Sequence, residues 1–346
     1  MKAYNLLVAI ALATSLTACN DKEILFNIDA TNLNGQYHNG ETVPLSVKDA
    51  DNTAVTSVDY YLNDKKIGSS KGNAVYNAPL NGLKLGYQNI KAVVNYDGGT
   101  AEASTRVELV SSIQPKVIND YQIVNTYPHD ITSYTQGLEF YHDTLVEGTG
   151  QYGKSKLRKV DYKTGKVYKE VMLDGKYFGE GITIFNNKIY QLTWKENTGF
   201  IYNAGSMKKE KDFTYSKGIQ GWGLTHDGTY LYQSDGTEKV YKLDPETLKE
   251  VDYINVYSTN NKVKEINELE WIEGKLYANI YQTDAVAIID PATGSVEAVI
   301  NLTELKKKVT QHPELDVLNG IAYNPKTKTI FITGKNWDKM FEIRLK

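Results

Sequence analysis

The sequence predicts an all-β protein, a five-bladed β-propeller preceded by an immunoglobulin-like β-sandwich, and three observations point there. The 346 residues include 26 tyrosines and 27 glycines but only 8 prolines, a composition that suits many short twisted strands joined by tight turns. From about Tyr121 onward a short unit of small and apolar residues recurs at roughly 40 to 50 residues, the spacing of propeller blades. Residues from about 20 to 112 lack this repeat and instead alternate apolar with polar side chains.

The chain opens with Met1-Lys2, an apolar run from Leu6 to Leu16, and then Leu16-Thr17-Ala18-Cys19. That run is too short for a transmembrane helix and has the pattern of an export signal. Small residues before a cysteine resemble the lipobox of bacterial lipoproteins. The resemblance implies cleavage after residue 18, a lipid on Cys19, and an exported lipoprotein anchored to the membrane at the periplasmic face or cell surface. Cys19 is the only cysteine, which leaves no thiol for a disulfide, a thiolate metal site or a cysteine nucleophile. The formal net charge of -3, with acidic and basic residues interspersed, gives no footprint for nucleic acid.

Within residues 19–112 strands are expected over Val43–Val47, Val58–Leu62, Asn89–Val93 and Ala101–Leu109, with a hairpin tip at Asp97-Gly98-Gly99. This sandwich has no cluster of chemically capable side chains and reads as a spacer. Ser111–Pro115 is the expected linker into the propeller, 113–346.

The propeller units begin at Thr135-Gln136-Gly137-Leu138, Gly179-Glu180-Gly181-Ile182, Gly221-Trp222-Gly223-Leu224, Asn267-Glu268-Leu269 and Leu318-Asn319-Gly320-Ile321. Asp161–Gly165, Asp244–Leu248 and Asp290–Gly294 mark turns into fourth strands. The last unit is one strand short, and Gln122–Tyr127 can supply the missing outer strand and close the ring. The repeated glycines belong to the crowded inner strands and read as structural.

Each inner strand starts with a polar or aromatic residue: Gln136, Glu180, Trp222, Asn267 and Asn319. Repeat symmetry places the five in one ring at one end of the channel, where a packed apolar core would not need them. Trp194, Tyr281, Lys335 and Trp337 follow second strands and belong near the same mouth.

The ordered series Tyr134-Thr135-Gln136-Gly137-Leu138, Gly148-Thr149-Gly150-Gln151-Tyr152-Gly153, Phe178-Gly179-Glu180-Gly181, Leu192-Thr193-Trp194-Lys195, Gly221-Trp222-Gly223-Leu224, Asn267-Glu268-Leu269-Glu270, Leu318-Asn319-Gly320-Ile321-Ala322 and Thr333-Gly334-Lys335 resembles the plant-type, metal-independent glutaminyl cyclases over nearly all of 117–346. The resemblance implies a pocket of Gln136, Phe178, Glu180, Trp194, Trp222, Asn267 and Lys335. Tyr134 stands where the family usually has phenylalanine, and Tyr281 where it usually has tryptophan. Each substitution adds a hydroxyl that needs a partner.

The implied reaction is attack of an N-terminal glutamine's α-amine on its own γ-carboxamide, giving pyroglutamate and ammonia. Phe178, Trp194 and Trp222 would impose the curled substrate shape. Glu180 is the candidate proton shuttle. Gln136 and Asn267 are expected to bind substrate, and Lys335 to support the carbonyl oxygen as it gains charge. Partners implied are peptides or proteins with N-terminal glutamine. No cofactor is required, and a monomer is expected.

Other signals have plainer explanations. Glu268 and Glu270 read as inter-blade hydrogen-bond acceptors, not a glycosidase pair. His38, His129, His142, His226 and His312 show no two-histidine ligand spacing. Some propellers hold a structural calcium, but no segment here matches a calcium loop. Lys306-Lys307-Lys308 reads as a solvated face. The rivals are a non-catalytic lipoprotein binding peptide or glycan, and a metal-centred propeller hydrolase or lactonase.

Overall fold

The computed structural model describes residues 26–49, 51–215 and 218–346; the export signal and Cys19 lie outside them. The described chain is all-β apart from one 3-10 turn, Ala30–Asn32, and one helical turn, Thr303–Lys306. No helix among the described residues is long and apolar enough to cross a membrane. Two compact units emerge: one takes 44–76 and 90–105 with the described residues up to Leu33, the other 34–43, 77–89 and 106–346.

In the first unit Val55–Leu62 buries Val58, Tyr60 and Leu62 on one face, the period-2 signature of a half-buried strand. It turns through Asn63 and Asp64, both at positive φ, into Lys65–Lys71, and pairs on its other edge with Ile90–Tyr96. Asp97-Gly98-Gly99 forms the expected tip between Gly86–Tyr96 and Gly99–Val110. The expected strand Val43–Val47 is broken after Leu45, and Val47–Lys48 pairs with Asn27–Ile28.

In the second unit the chain builds successive antiparallel meanders. The first contains Thr135–Tyr141, Thr144–Thr149, Lys156–Val160 and Val167–Met172; the second Gly179–Phe185, Lys188–Thr193, Gly199–Asn203 and Lys209–Phe213. The third runs Leu224–His226, Leu231–Ser234, Lys239–Leu243 and Glu250–Asn255, and the fourth Ile266–Ile272, Lys275–Ile280, Ala285–Ile289 and Val296–Asn301. Leu318–Asn324, Thr329–Gly334 and Lys339–Leu345 make a three-stranded final meander, and Tyr121–Pro128 pairs antiparallel with its last strand, as expected. A strand missed in the sequence, Lys116–Ile118, adds in parallel to Val296–Asn301.

The first strands of successive sheets lie side by side, and that of the last sheet returns against that of the first. This propeller-like closure makes neighbouring backbones approach closely. A Cβ on Gly181 would overlap the Trp222 carbonyl, and one on Gly223 that of Asn267, so glycine is required there by space. Between sheets the faces interdigitate: Val286, Ile300 and Leu305 pack with Ile321, Ile332, Phe341 and Ile343, each such side chain contributing roughly 1.5–3 kcal/mol of burial. Asp161, Asp244 and Asp290 cap the expected turns by accepting backbone N–H groups of Lys163, Thr247 and Ala292.

Glu268 and Glu270 play the part read for them. Glu268 accepts from the backbone N–H of Leu138 at 3.2 Å and of Ile321 at 3.0 Å, and Glu270 from that of Tyr323 at 2.8 Å. They stitch the fourth sheet to the first and last, and burial pushes both carboxyls well above the usual range.

Candidate active site

Strand direction decides where the chemistry gathers. First and second strands of each sheet are antiparallel, so the start of one faces the end of the other: Thr135 opposite Thr149, Gly179 opposite Thr193, Ile266 opposite Ile280 and Leu318 opposite Gly334. Tyr134, Gln136, Phe178, Glu180, Trp222 and Asn267 sit at or just before first-strand starts; Trp194, Tyr281 and Lys335 directly follow second strands. All nine therefore occupy one end of the ring.

The register slips where the polar residues stand, between Thr135 and Gly137, Gly179 and Ile182, Ile266 and Leu269, and Leu318 and Ile321. An extra residue in one strand breaks the ladder locally and re-aims its side chain. Gln136, Glu180, Asn267 and Asn319 are thereby freed from strict alternation. The third sheet reaches the same end differently, since its first strand starts only at Leu224 and Trp222 precedes it.

Aromatic rings wall the space. Tyr134 meets Phe178 edge-on at 6.2 Å between centroids, Phe178 lies 5.6 Å from Trp194, and Trp222 is edge-on to Tyr281 at 5.9 Å. Gly150 is fixed by its neighbours, because a Cβ there would overlap the Phe178 ring and crowd Gln136. The ammonium of Lys335, a residue only 3% exposed, lies over the rings of Tyr134 at 4.7 Å and Tyr281 at 5.1 Å, a cation–π cradle. Both aromatic departures noted in the sequence therefore touch the same lysine. The added hydroxyl of Tyr134 donates to Asp316 at 2.9 Å.

Polar groups are aimed inward without partners. Glu180 Oε2 and Asn267 Oδ1 are buried with no hydrogen bond among the described residues, a costly state unless a ligand supplies donors. Burial raises the Glu180 carboxyl well above its ordinary range; Lys335 draws it back and Glu196 adds to the rise. Burial pulls the Lys335 ammonium below the ordinary lysine range, with Glu180 and Asp316 opposing. Each shift moves its group toward exchanging a proton nearer neutral pH.

A family model for glutamine cyclotransferase matches residues 93–345. The chain belongs to the glutamine cyclotransferase family. A glutaminyl-peptide cyclotransferase of Arabidopsis thaliana is 42% identical over 232 residues, covering 66% of this chain and 72% of that protein. The crystal structure of Myxococcus xanthus glutaminyl cyclase superposes with a TM-score of 0.62 at 35% identity, over 67% of this chain and 98% of that one.

Against the glutamine cyclotransferase motifs, the structure adds residues that the sequence reading passed over. Gln220 Oε1 accepts from the indole N–H of both Trp194, at 2.6 Å, and Trp222, at 2.9 Å. Asn319, read only as a ring member, orients Gln136 by donating to its Oε1 at 3.1 Å and to the Thr135 carbonyl at 2.8 Å. Tyr152 packs edge-on against Phe178 and donates to Glu196 at 2.8 Å. Trp337, expected near the mouth, packs over Gly334 at that end but is fully buried, with its indole N–H on the Asp316 carbonyl. No group of three or more His, Cys, Asp or Glu among the described residues is placed to hold a metal ion.

Proposed function

We propose that this chain is a glutaminyl-peptide cyclotransferase that closes an N-terminal glutamine of peptides or proteins to pyroglutamate and releases ammonia. The observation that carries this is Glu180, a buried carboxyl with an unpartnered oxygen at the end of the ring walled by Phe178, Trp194 and Trp222, and under the influence of the Lys335 ammonium. The substrate's α-amine nitrogen bonds to its own γ-carboxamide carbon, and the carbon–nitrogen bond to the departing amide breaks. Glu180 takes the proton from the amine and delivers it to the leaving nitrogen, so one group serves as base and then acid. A raised pKa suits it to both steps near neutral pH.

Lys335 with the amides of Gln136 and Asn267 steadies the carbonyl oxygen as charge builds. The aromatic walls hold the side chain curled, and such orientation is worth on the order of 7–11 kcal/mol in favourable cases. No step calls for a cofactor.

The wider arrangement in this reading is a five-bladed β-propeller over 113–346, acting as a monomer, carried by an immunoglobulin-like spacer over 19–112. A lipid on Cys19 anchors it to the membrane after removal of residues 1–18, at the periplasmic face or cell surface. Supporting this are the alternating strands of the spacer, the sheet order of the ring and the Leu16-Thr17-Ala18-Cys19 pattern. The deciding experiment is incubation of purified protein with a short glutamine-initiated peptide, followed by mass. Loss of ammonia is expected; an unchanged peptide that is nonetheless bound would leave a binding protein in its place.

A further inference from the structure

Beneath the site lies a buried charge cluster that the reaction does not use. The side chain of His129, 7% exposed, places Nδ1 2.7 Å from the Trp337 carbonyl and Nε2 3.0 Å from Glu147 Oε1. A carbonyl can only accept. The Glu147 carboxylate is also held as an acceptor, taking the Thr135 hydroxyl on Oε1 at 2.7 Å and Arg158 Nε on Oε2 at 3.0 Å. Both ring nitrogens of His129 must therefore donate, which only the imidazolium can do.

The cluster joins two parts of the site. Thr135 directly precedes Gln136, and Trp337 lies two residues beyond Lys335. The backbone N–H of His129 also donates to the Asp338 carbonyl at 2.9 Å, and that of Asn336 to the Ser133 carbonyl at 2.7 Å. We propose that His129 is a positioning residue whose imidazolium ties the strand start bearing Gln136 to the loop bearing Lys335, so that loss of its proton misplaces both.

The charges around the ring are Glu147 from Thr144–Thr149, Arg158 from Lys156–Val160 with Asp130 and Glu170 on its guanidinium, and Asp338 on the facing loop. Burial disfavours the cation and Arg158 opposes it too, but Glu147 and the Trp337 carbonyl together favour it and the net direction is upward. The tie is thus complete below the ordinary histidine range of about 6.5 and is lost as pH rises through the raised value in the folded protein.

The proposal rests on the cyclase reading, and its test separates the two. Nitrogen-15 NMR of histidine-labelled protein should show the His129 imidazole doubly protonated at pH 7, told apart from His226 and His312, which also face carboxylates, by its shift in Glu147→Gln. Turnover of a glutamine-initiated peptide should fall with the same alkaline midpoint, and both midpoints should move to lower pH in Glu147→Gln. In His129→Gln, turnover at pH 7 should drop by up to about a hundredfold, the order that small misplacements cost, and the fall matching His129 titration should vanish. Lys335 also loses its proton on the alkaline side, so the match between NMR and activity midpoints is the discriminating result. A neutral His129 at pH 7, or a His129 midpoint that moves in Glu147→Gln without the activity limb following, overturns the proposal. Absence of cyclisation by the wild type would overturn the functional reading instead, while the NMR result would still decide the charge of His129.

Discussion

Trp194 and Trp222, on different sheets, donate their indole N–H groups to a single oxygen, Oε1 of Gln220. Two walls of the pocket are thereby set by one side chain. Gln220→Leu should strand two indole donors, each costing about 1 kcal/mol or more, and loosen the walls. We expect KM for a glutamine-initiated peptide to rise about tenfold with a smaller loss in kcat. Steady-state kinetics checks this; an unchanged KM would show that the tryptophans hold themselves.

Glu180→Gln keeps the shape and removes the proposed proton shuttle. Turnover should fall by about a hundred- to ten-thousand-fold while KM changes less. The same substitution should leave the melting temperature at neutral pH equal or higher. A carboxyl whose folded pKa is raised is disfavoured as the anion, so its contribution to stability falls as pH rises from about 4.5 through the raised value. The variant lacks that loss, and melting curves at pH 5 and 8 should show a smaller difference than the wild type. Near-normal turnover in a folded variant would assign the proton to another group.

In the proposed reaction the Lys335 ammonium, which interacts electrostatically with Glu180, takes the part a Lewis acid would play at the carbonyl. Chelator should therefore leave wild-type turnover unchanged over the assay. Activity lost to chelator and restored by a divalent cation would favour the hydrolase class.

Cys19→Ser should abolish incorporation of labelled fatty acid and release the protein from membranes. Continued labelling would refute the anchor.

A chain beginning at Ile113 retains every pocket residue and should cyclise small peptides. It should melt at a lower temperature than the longer protein, because residues 34–43, 77–89 and 106–112 group with the ring and Tyr257 loses its 2.8 Å bond to Glu108. A folded but inactive product would assign the preceding residues a part in catalysis.

The repeat and the closing strand were legible because blade spacing and strand alternation are properties of the one-dimensional pattern, as Gln122–Tyr127 illustrates. That nine residues of the motifs gather at one end of the ring was legible from strand ends. Gln220 was not, because it lies in a connecting stretch with no period, and its role depends on two indoles meeting across sheets. His129 was dismissed for want of ligand spacing, since what matters there is the acceptor-only character of Glu147 and a carbonyl brought from the far end of the chain. The balance between burial and charge at Glu180 and Lys335 likewise required the packed environment; the residue types alone fix only the sign of each contribution.

Pairing Tyr121–Pro128 with Lys339–Leu345 also sets a timetable for synthesis. The first of these strands leaves the ribosome long before the second exists, and at about 5–20 residues per second the intervening chain takes on the order of ten seconds or more to emerge. Throughout that interval an unpaired edge and the open flank of the first sheet stand exposed to neighbouring chains. Assembly of the proposed catalytic end must wait as well, since Lys335 follows Thr329–Gly334 in the last sheet. The nascent chain is thus most vulnerable to mispairing just before Lys339–Leu345 emerges and pairs with Tyr121–Pro128.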